Sequence, residues 1–172
     1  PGMAFGIGSH ETTRMCIEFL EEYIINNNID KYQMTMLDIG TGTGVLAITA
    51  VYLGINNVTG IDNNQAAIET ACENIKINHV EKKIKILKGD LLKGINSKFD
   101  IITANLLPYI ILRLIPSLPV IMKKNSTLVL SGITLEKKND IISCLEKYNM
   151  KILKEKCANG WAALLVRRWD YA

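Results

Sequence analysis

The residues best placed to do chemistry are Asp38, Gly40, Gly42 and Gly44, spaced acid-x-Gly-x-Gly-x-Gly. Glycine bends the backbone into conformations that other residues avoid, and lets a ligand come close to the chain. Where a strand turns into a helix, such a loop offers N–H groups and the positive helix end to polar or anionic groups. A dinucleotide-binding loop spaces its glycines G-x-G-x-x-G. Here the third glycine arrives one residue early, and Val45 holds the place that pattern needs. That speaks against a nicotinamide-dependent oxidoreductase. Three more polar residues follow apolar runs: Asp62 after 58–61, Asp90 after 84–87 and Asn105 after 99–104. An acid at the end of the second strand of a strand–helix–strand unit can accept both hydroxyl protons of a ribose, the role expected of Asp62. Asp62-Asn63-Asn64 could equally cap a helix. Asn105 can present its oxygens to an incoming amine, or cap the helix that follows Pro108.

These residues need strands and helices to carry them. Met34, Met36, Leu37 and Ile39 read as a short buried strand, and 45–53 is an apolar helical segment that stops at Gly54. Further strands are expected at 57–61, 84–87, 99–104 and 127–131, with helices over 65–78, 110–118 and 136–148. Lysines at 83, 85 and 88 place 84–87 near a sheet edge, and the apolar 99–104 belongs at the centre. Lys123-Lys124-Asn125 reads as a turn. Two last strands, 151–156 and 161–166, are joined by Asn159-Gly160, a hairpin signal. Ahead of all this, Met15/Cys16, Phe19/Leu20 and Tyr23/Ile24 recur four apart and make an amphipathic helix that Thr12 or Thr13 could cap. Residues 1–13 are rich in glycine and read as an ordered loop that closes over a ligand. Asn74, Asn78 and His79 are expected at the surface.

The 172 residues suffice for one domain with a full core. No apolar run reaches the length of a membrane span, and no signal peptide is visible. A net charge of +3 is too mild to argue for nucleic acid. The four cysteines form no Cys-x-x-Cys pair and only two histidines exist, so no metal is expected. The cysteines read as reduced core residues of a cytoplasmic protein. The opening Pro-Gly, without an initiator Met, suggests an excised domain.

Asp38–Gly44 resembles the first motif of the Rossmann-like S-adenosylmethionine-dependent methyltransferases. The opening P-G-M-A-F-G-I-G-S-H-E-T-T is more specific. It resembles the P-G-x-A-F-G-T-G-x-H-x-T-T signature of the ribosomal-protein methyltransferase family PrmA. Gly60-Ile61-Asp62, Ala104-Asn105-Leu106-Leu107, Ser131-Gly132-Ile133 and Gly160-Trp161 fit that family too, so the resemblance covers nearly the whole chain. It implies an α/β fold: a seven-stranded, mostly parallel sheet with an antiparallel last strand and helices on both faces. It implies one methyltransferase domain over 1–172, with the family's small amino-terminal substrate-recognition domain absent. The implied activity is methyl transfer from S-adenosylmethionine to α-amino and lysine ε-amino groups of the eleventh large-subunit ribosomal protein. The implied cofactor contacts are Thr13, Gly40, Asp62 and Asn105, with Phe5, Gly42 and Asp90 in addition, and Asn105 as the residue that orients the amine. In the family the acid of the first motif helps hold both the loop and the amino group of the cofactor. Ile7 stands where the signature has a Thr and removes a hydroxyl from the loop. Other readings are a small-molecule or nucleic-acid methyltransferase of the same fold, and a cofactor-binding module without catalysis. No Asn-Pro-Pro-aromatic sequence follows the fourth strand, which makes direct nucleic-acid binding unexpected, and nothing in the sequence gives the oligomeric state.

Overall fold

The computed structural model describes residues 10–26 and 30–168. Helix α1 (Glu11–Asn26) precedes an alternation of β1 (Thr35–Ile39), α2 (Val45–Tyr52), β2 (Asn57–Asp62), α3 (Gln65–Ile77) and β3 (Ile84–Lys88). Then come β4 (Phe99–Asn105), α4 (Pro108–Leu114), α5 (Leu118–Ile121), β5 (Met122–Thr134), α6 (Leu135–Lys147) and the hairpin β6 (Met150–Ala158)–β7 (Trp161–Arg168). The strands form one sheet in the order β3-β2-β1-β4-β5-β7-β6. Strands β1 to β5 are parallel, and β7 inserts antiparallel between β5 and β6.

Apolar strand residues alternate between two cores, as the period of two requires. Met36 and Ile101 pack under α1, α2 and α3, beside Phe19, Leu20, Ala47 and Ile75. Leu37, Ile39, Ile102 and Leu130 face the other way, against Ile111, Leu114, Ile141 and Leu145 of α4 and α6. Edge position for β3 and a central place for β4 agree with their lysine and apolar patterns. Asn159 and Gly160 have φ of 48° and 83°, the left-handed pair that a tight hairpin needs.

Four expectations change. Helix α1 begins at Glu11, so Thr12 and Thr13 lie in its first turn and do not cap it. His10 does that work: its carbonyl accepts the N–H groups of Thr13 and Arg14, and its Nδ1 accepts that of Thr12 at 3.3 Å. The single helix expected over 110–118 is broken into α4, a 3-10 turn at Ile115–Ser117 and α5, because Pro116 and Pro119 each remove an N–H from the ladder. Lys123-Lys124-Asn125 ends no strand. It is an irregularity inside β5, with Asn125 at φ 63°, between the Phe99↔Met122 and Ile101↔Thr127 pairings. Cys16 is buried as expected, and Cys157 is exposed on β6.

Candidate functional site

The order β2-β1-β4-β5 reverses direction between β1 and β4, and the crevice outside the carboxyl ends of those two strands is where such sheets bind ligands. A cleft of about 640 Å³ opens there, within the usual range for small-molecule sites. Thr13, Gly40, Gly42, Asp62, Asp90 and Asn105, all expected to touch a ligand, line it, and Asp38 does not. Phe5 and Ile7 lie outside the described residues, so the closing loop of 1–13 does too, except for its last turn.

The glycine loop follows β1. Gly40, Gly42 and Gly44 have φ of 69°, 56° and 79°. A Cβ on Gly40 would run into the Cδ2 end of the Leu106 side chain, in the loop after β4, so the bare glycine lets the two loops meet without displacing that side chain. Four of the loop's N–H groups are already engaged within the protein, and the first turn of α2, where Val45 and Leu46 line the cleft, has no side-chain cap. Gly40 and Thr41 donate to the Ile61 carbonyl at 2.8 and 3.0 Å, Gly42 donates to Asp62 Oδ2 at 2.9 Å, and Gly44 donates to the Thr41 carbonyl at 2.8 Å. The loop folds over the end of β2, whose acceptors take the N–H groups of Gly40, Thr41 and Gly42. A ligand that approaches the loop there meets the Asp62 carboxylate, a poor setting for a pyrophosphate and a suitable one for a neutral or cationic group.

Asp62 sits half-buried at the end of β2. Its Oδ2 takes the Gly42 N–H and its Oδ1 takes the Asn64 N–H at 2.9 Å, which leaves further lone pairs on both oxygens. The capping alternative falls to Asn64, whose Oδ1 accepts from Ala66 and Ala67 at the start of α3. Asp38 is 1 % exposed and is not part of the cleft wall. Its Oδ2 accepts the Thr41 hydroxyl at 2.7 Å and its Oδ1 the Thr103 hydroxyl at 2.6 Å, tying loop, β1 and β4 together from behind. Burial pushes its carboxyl up from the ordinary value, against the pull of the two hydroxyls. Of the two tasks the resemblance gave this acid, holding the loop is the one its position serves.

The opposite wall comes from the ends of β4 and β5. Asn105 Nδ2 donates to Thr13 Oγ1 at 3.2 Å, and Ser131 Oγ donates to the Thr12 carbonyl at 3.0 Å. The first turn of α1 is thereby moored to both strand ends. Asn105 does not cap α4, whose N-cap is Leu107 with no side-chain hydrogen bond. Gly132, at φ 81°, lets the chain at Leu106 pass: a Cβ there would lie 2.3 Å from the Leu106 carbonyl oxygen.

Sequence reasoning missed several contributors. Asn74, taken for a surface residue, donates from Nδ2 to the Thr43 carbonyl at 2.8 Å and braces the glycine loop from α3. Leu107, Tyr109, Arg113 and Trp161 also line the cleft. Trp161 packs edge-on to His10, with ring centroids 5.4 Å apart. Leu107 and Trp161 belong to sequences that fit the resemblance, but neither is assigned a place in the site by it. Among the described residues no cluster of His, Cys, Asp and Glu could hold a metal ion.

Comparison with known proteins agrees with this geometry. The family model described as ribosomal protein L11 methyltransferase (PrmA) matches residues 1–169. The ribosomal protein L11 methyltransferase of Dictyoglomus turgidum is 41% identical over 170 residues, 99% of this chain and 54% of that protein. The one from Staphylococcus aureus strain MRSA252 is 37% identical over 165 residues, 96% of this chain and 51% of its own. The chain thus spans about half the length of these curated relatives. The crystal structure of the ribosomal protein L11 methylase from Lactobacillus delbrueckii subsp. bulgaricus superposes with a TM-score of 0.83 at 32% identity, covering 94% of this chain and 80% of that one. On sequence, fold and site geometry together, the chain belongs to the ribosomal protein L11 methyltransferase (PrmA) family.

Proposed function

We propose that this chain is the catalytic unit of an S-adenosylmethionine-dependent protein N-methyltransferase acting on α-amino and lysine ε-amino groups of ribosomal protein L11, as a single domain over 1–172. The observation that carries this is the pairing, across one cleft, of the Asp62 carboxylate, which holds the glycine loop through Gly42, with Asn105 moored to Thr13.

The residues present fit the donor. Asp62 would take the ribose hydroxyls, Asp90 at the end of β3 the amino group of the base, and Gly40 and Gly42 the methionine portion, with Thr13 closing over it. The donor brings a methyl group already activated on a sulfonium. The protein's share is to hold an amine in line with that methyl, and positioning of this kind is a large part of catalysis. The amine must arrive unprotonated, since an ammonium has no lone pair, and partial burial in the cleft favours that form. Nδ2 of Asn105 is engaged by Thr13, so Oδ1 is the atom available to accept an amine N–H and aim its lone pair. The family relationship supports the ribosomal acceptor, and no helix among the described residues is long and apolar enough to cross a membrane.

The test is calorimetric titration of S-adenosylhomocysteine into the chain and into its Asp62→Ala variant, followed by mass spectrometry of L11 incubated with chain and S-adenosylmethionine. Saturable binding weakened at least tenfold in the variant, with mass gains in steps of one methyl on L11, is the expected result. Binding that ignores Asp62, or bound donor with no transfer to L11, would overturn the reading.

A further inference from the structure

Arg113 is the one lysine or arginine among the described residues that line the cleft. It follows Tyr109 by one turn of α4, so the two share a face of that helix. A second cavity, of about 480 Å³, adjoins the cleft, and Asp90, Leu91 and Arg113 line both, so these three form the divide between them. The loop after β3 reaches α4 here because Leu91, Leu92 and Ile95 pack on the same core as Leu114, the residue after Arg113. Local bonds hold the divide in place. Gly89 donates its N–H to the Asp62 carbonyl at 2.9 Å, which ties the residue before Asp90 to the one that would take the ribose. Lys93 donates to the Asp90 carbonyl at 3.0 Å and closes a tight turn. Inside that turn Leu91 has φ 52°, a costly conformation for leucine and one of the kind that gathers at ligand sites. The exposed Arg113 side chain makes no ion pair or hydrogen bond with any described residue, Asp90 included.

We infer that Arg113 is a specificity residue for the methyl donor: it donates a hydrogen bond to a ring nitrogen of the base whose amino group Asp90 accepts. The inference rests on the proposed function and adds to it a residue outside every motif of the resemblance. A carboxylate only accepts and a guanidinium only donates. Adenine carries an amino donor with an acceptor nitrogen on either side, N1 and N7. An acceptor and a donor set side by side complement that edge. A base with a carbonyl in place of the amino group would turn an oxygen toward the Asp90 carboxylate. The tie from Gly89 to Asp62 sets the base end of the cleft at this divide, and Arg113 brings to it donors that no protein group among the described residues has taken.

The experiment titrates three compounds by calorimetry into the chain and into its Arg113→Met variant, which keeps an apolar stem and removes the donors. They are S-adenosylhomocysteine and its 1-deaza and 7-deaza forms, each with one ring nitrogen replaced by C–H. L11 binding to the chain loaded with S-adenosylhomocysteine is measured alongside. The variant is expected to bind S-adenosylhomocysteine about five to ten times more weakly, the scale of one charged hydrogen bond at an exposed site. One deaza form should bind the unsubstituted chain with a similar loss and lose nothing further in the variant, while the other repeats the full penalty. Undiminished affinity for S-adenosylhomocysteine in the variant overturns the inference, whether or not L11 binding falls; a fall in L11 binding alone would assign Arg113 to the acceptor. An equal penalty on all three compounds overturns it too, since Arg113 would then act on another part of the donor. An unsubstituted chain that binds none of the three sinks the proposed function together with the inference.

Discussion

Asp38 and Asp100 are the same residue on neighbouring strands, and their surroundings drive them in opposite directions. Burial raises Asp38 from its ordinary 3.8, with the Thr103 and Thr41 hydroxyls offsetting part of the effect. Burial also opposes ionisation of Asp100, but Lys123, at 2.7 Å, and the Thr35 N–H and hydroxyl, each at 2.8 Å, outweigh it and hold that carboxyl below 3.8. A raised carboxyl binds its proton more tightly folded than unfolded, so what Asp38 contributes is complete below 3.8 and is lost as pH rises through its folded value. Asp100 is the reverse: its contribution is present above 3.8 and is lost as pH falls through its depressed value. Asp38→Asn should therefore gain stability relative to the unsubstituted chain as pH rises from about 4 to 8, measured by urea unfolding at each pH. A difference that stays constant with pH would mean the buried carboxyl is not shifted. Asn105→Ala, which removes the atom proposed to aim the amine, should lower kcat on L11 about a hundredfold, the cost of a misplaced reactant. An unchanged kcat would remove Asn105 from the mechanism. At this scale the sequence was half legible. Acid-x-Gly-x-Gly-x-Gly announces the loop, but Asp38 also accepts from Thr103 and Thr43 is held by Asn74, both distant in sequence and on other elements, and no local spacing reports them.

Among the elements, glycines with nearly equal torsions do unequal work. Gly132 and Gly160 have φ of 81° and 83°. A Cβ on Gly160 would meet nothing within 4 Å, while one on Gly132 would collide with the Leu106 carbonyl. Gly160→Ala should cost about 1–2 kcal/mol, the penalty of a left-handed non-glycine residue. Gly132→Ala must also push apart β5 and the loop after β4, with a cost of roughly 3 kcal/mol or more and weakened S-adenosylhomocysteine binding. Thermal unfolding and calorimetry of the pair decide it: equal losses in both variants would show that torsion alone matters and that the close approach does not shape the site. The Ser-Gly-Ile sequence marked the place, but the reason for its glycine is a contact between two strand ends that only the assembled sheet creates. The same limit explains α4 and β5. Proline positions were visible, but the 3-10 turn between α4 and α5 was not. Lys123–Asn125 looked like a turn because lysine and asparagine are turn-like, yet β5 pairs with β4 before them at Met122 and after them at Thr127, where β7 joins, and that carries the strand through.

For the molecule as a whole, the sheet is open, and each of its two edges must be kept from pairing with another chain. They are guarded differently. At β6, the register shifts between Ile152 and Lys154, so the edge is bulged. Lys154 and Lys156 are held down onto Glu18 and Glu22 of α1 by ion pairs of 2.7–2.9 Å. At β3, pairing to β2 is regular over all five residues, with no bulge to twist the edge away. What guards it is charge: Lys83 and Lys85 are exposed, and neither has an acidic partner among the described residues. Such pairs of lysines on a basic chain invite a nucleic-acid reading. Protection of a straight, unpaired edge accounts for them without one, since like charges on two copies repel where their backbones would otherwise bond. Replacing both with valine should therefore leave the fold and S-adenosylhomocysteine affinity unchanged while the chain associates with rising concentration, seen as a shift to larger species in analytical ultracentrifugation. A double valine variant that sediments like the unsubstituted chain at every concentration would leave these lysines without a structural task and reopen the case for an anionic partner at this edge.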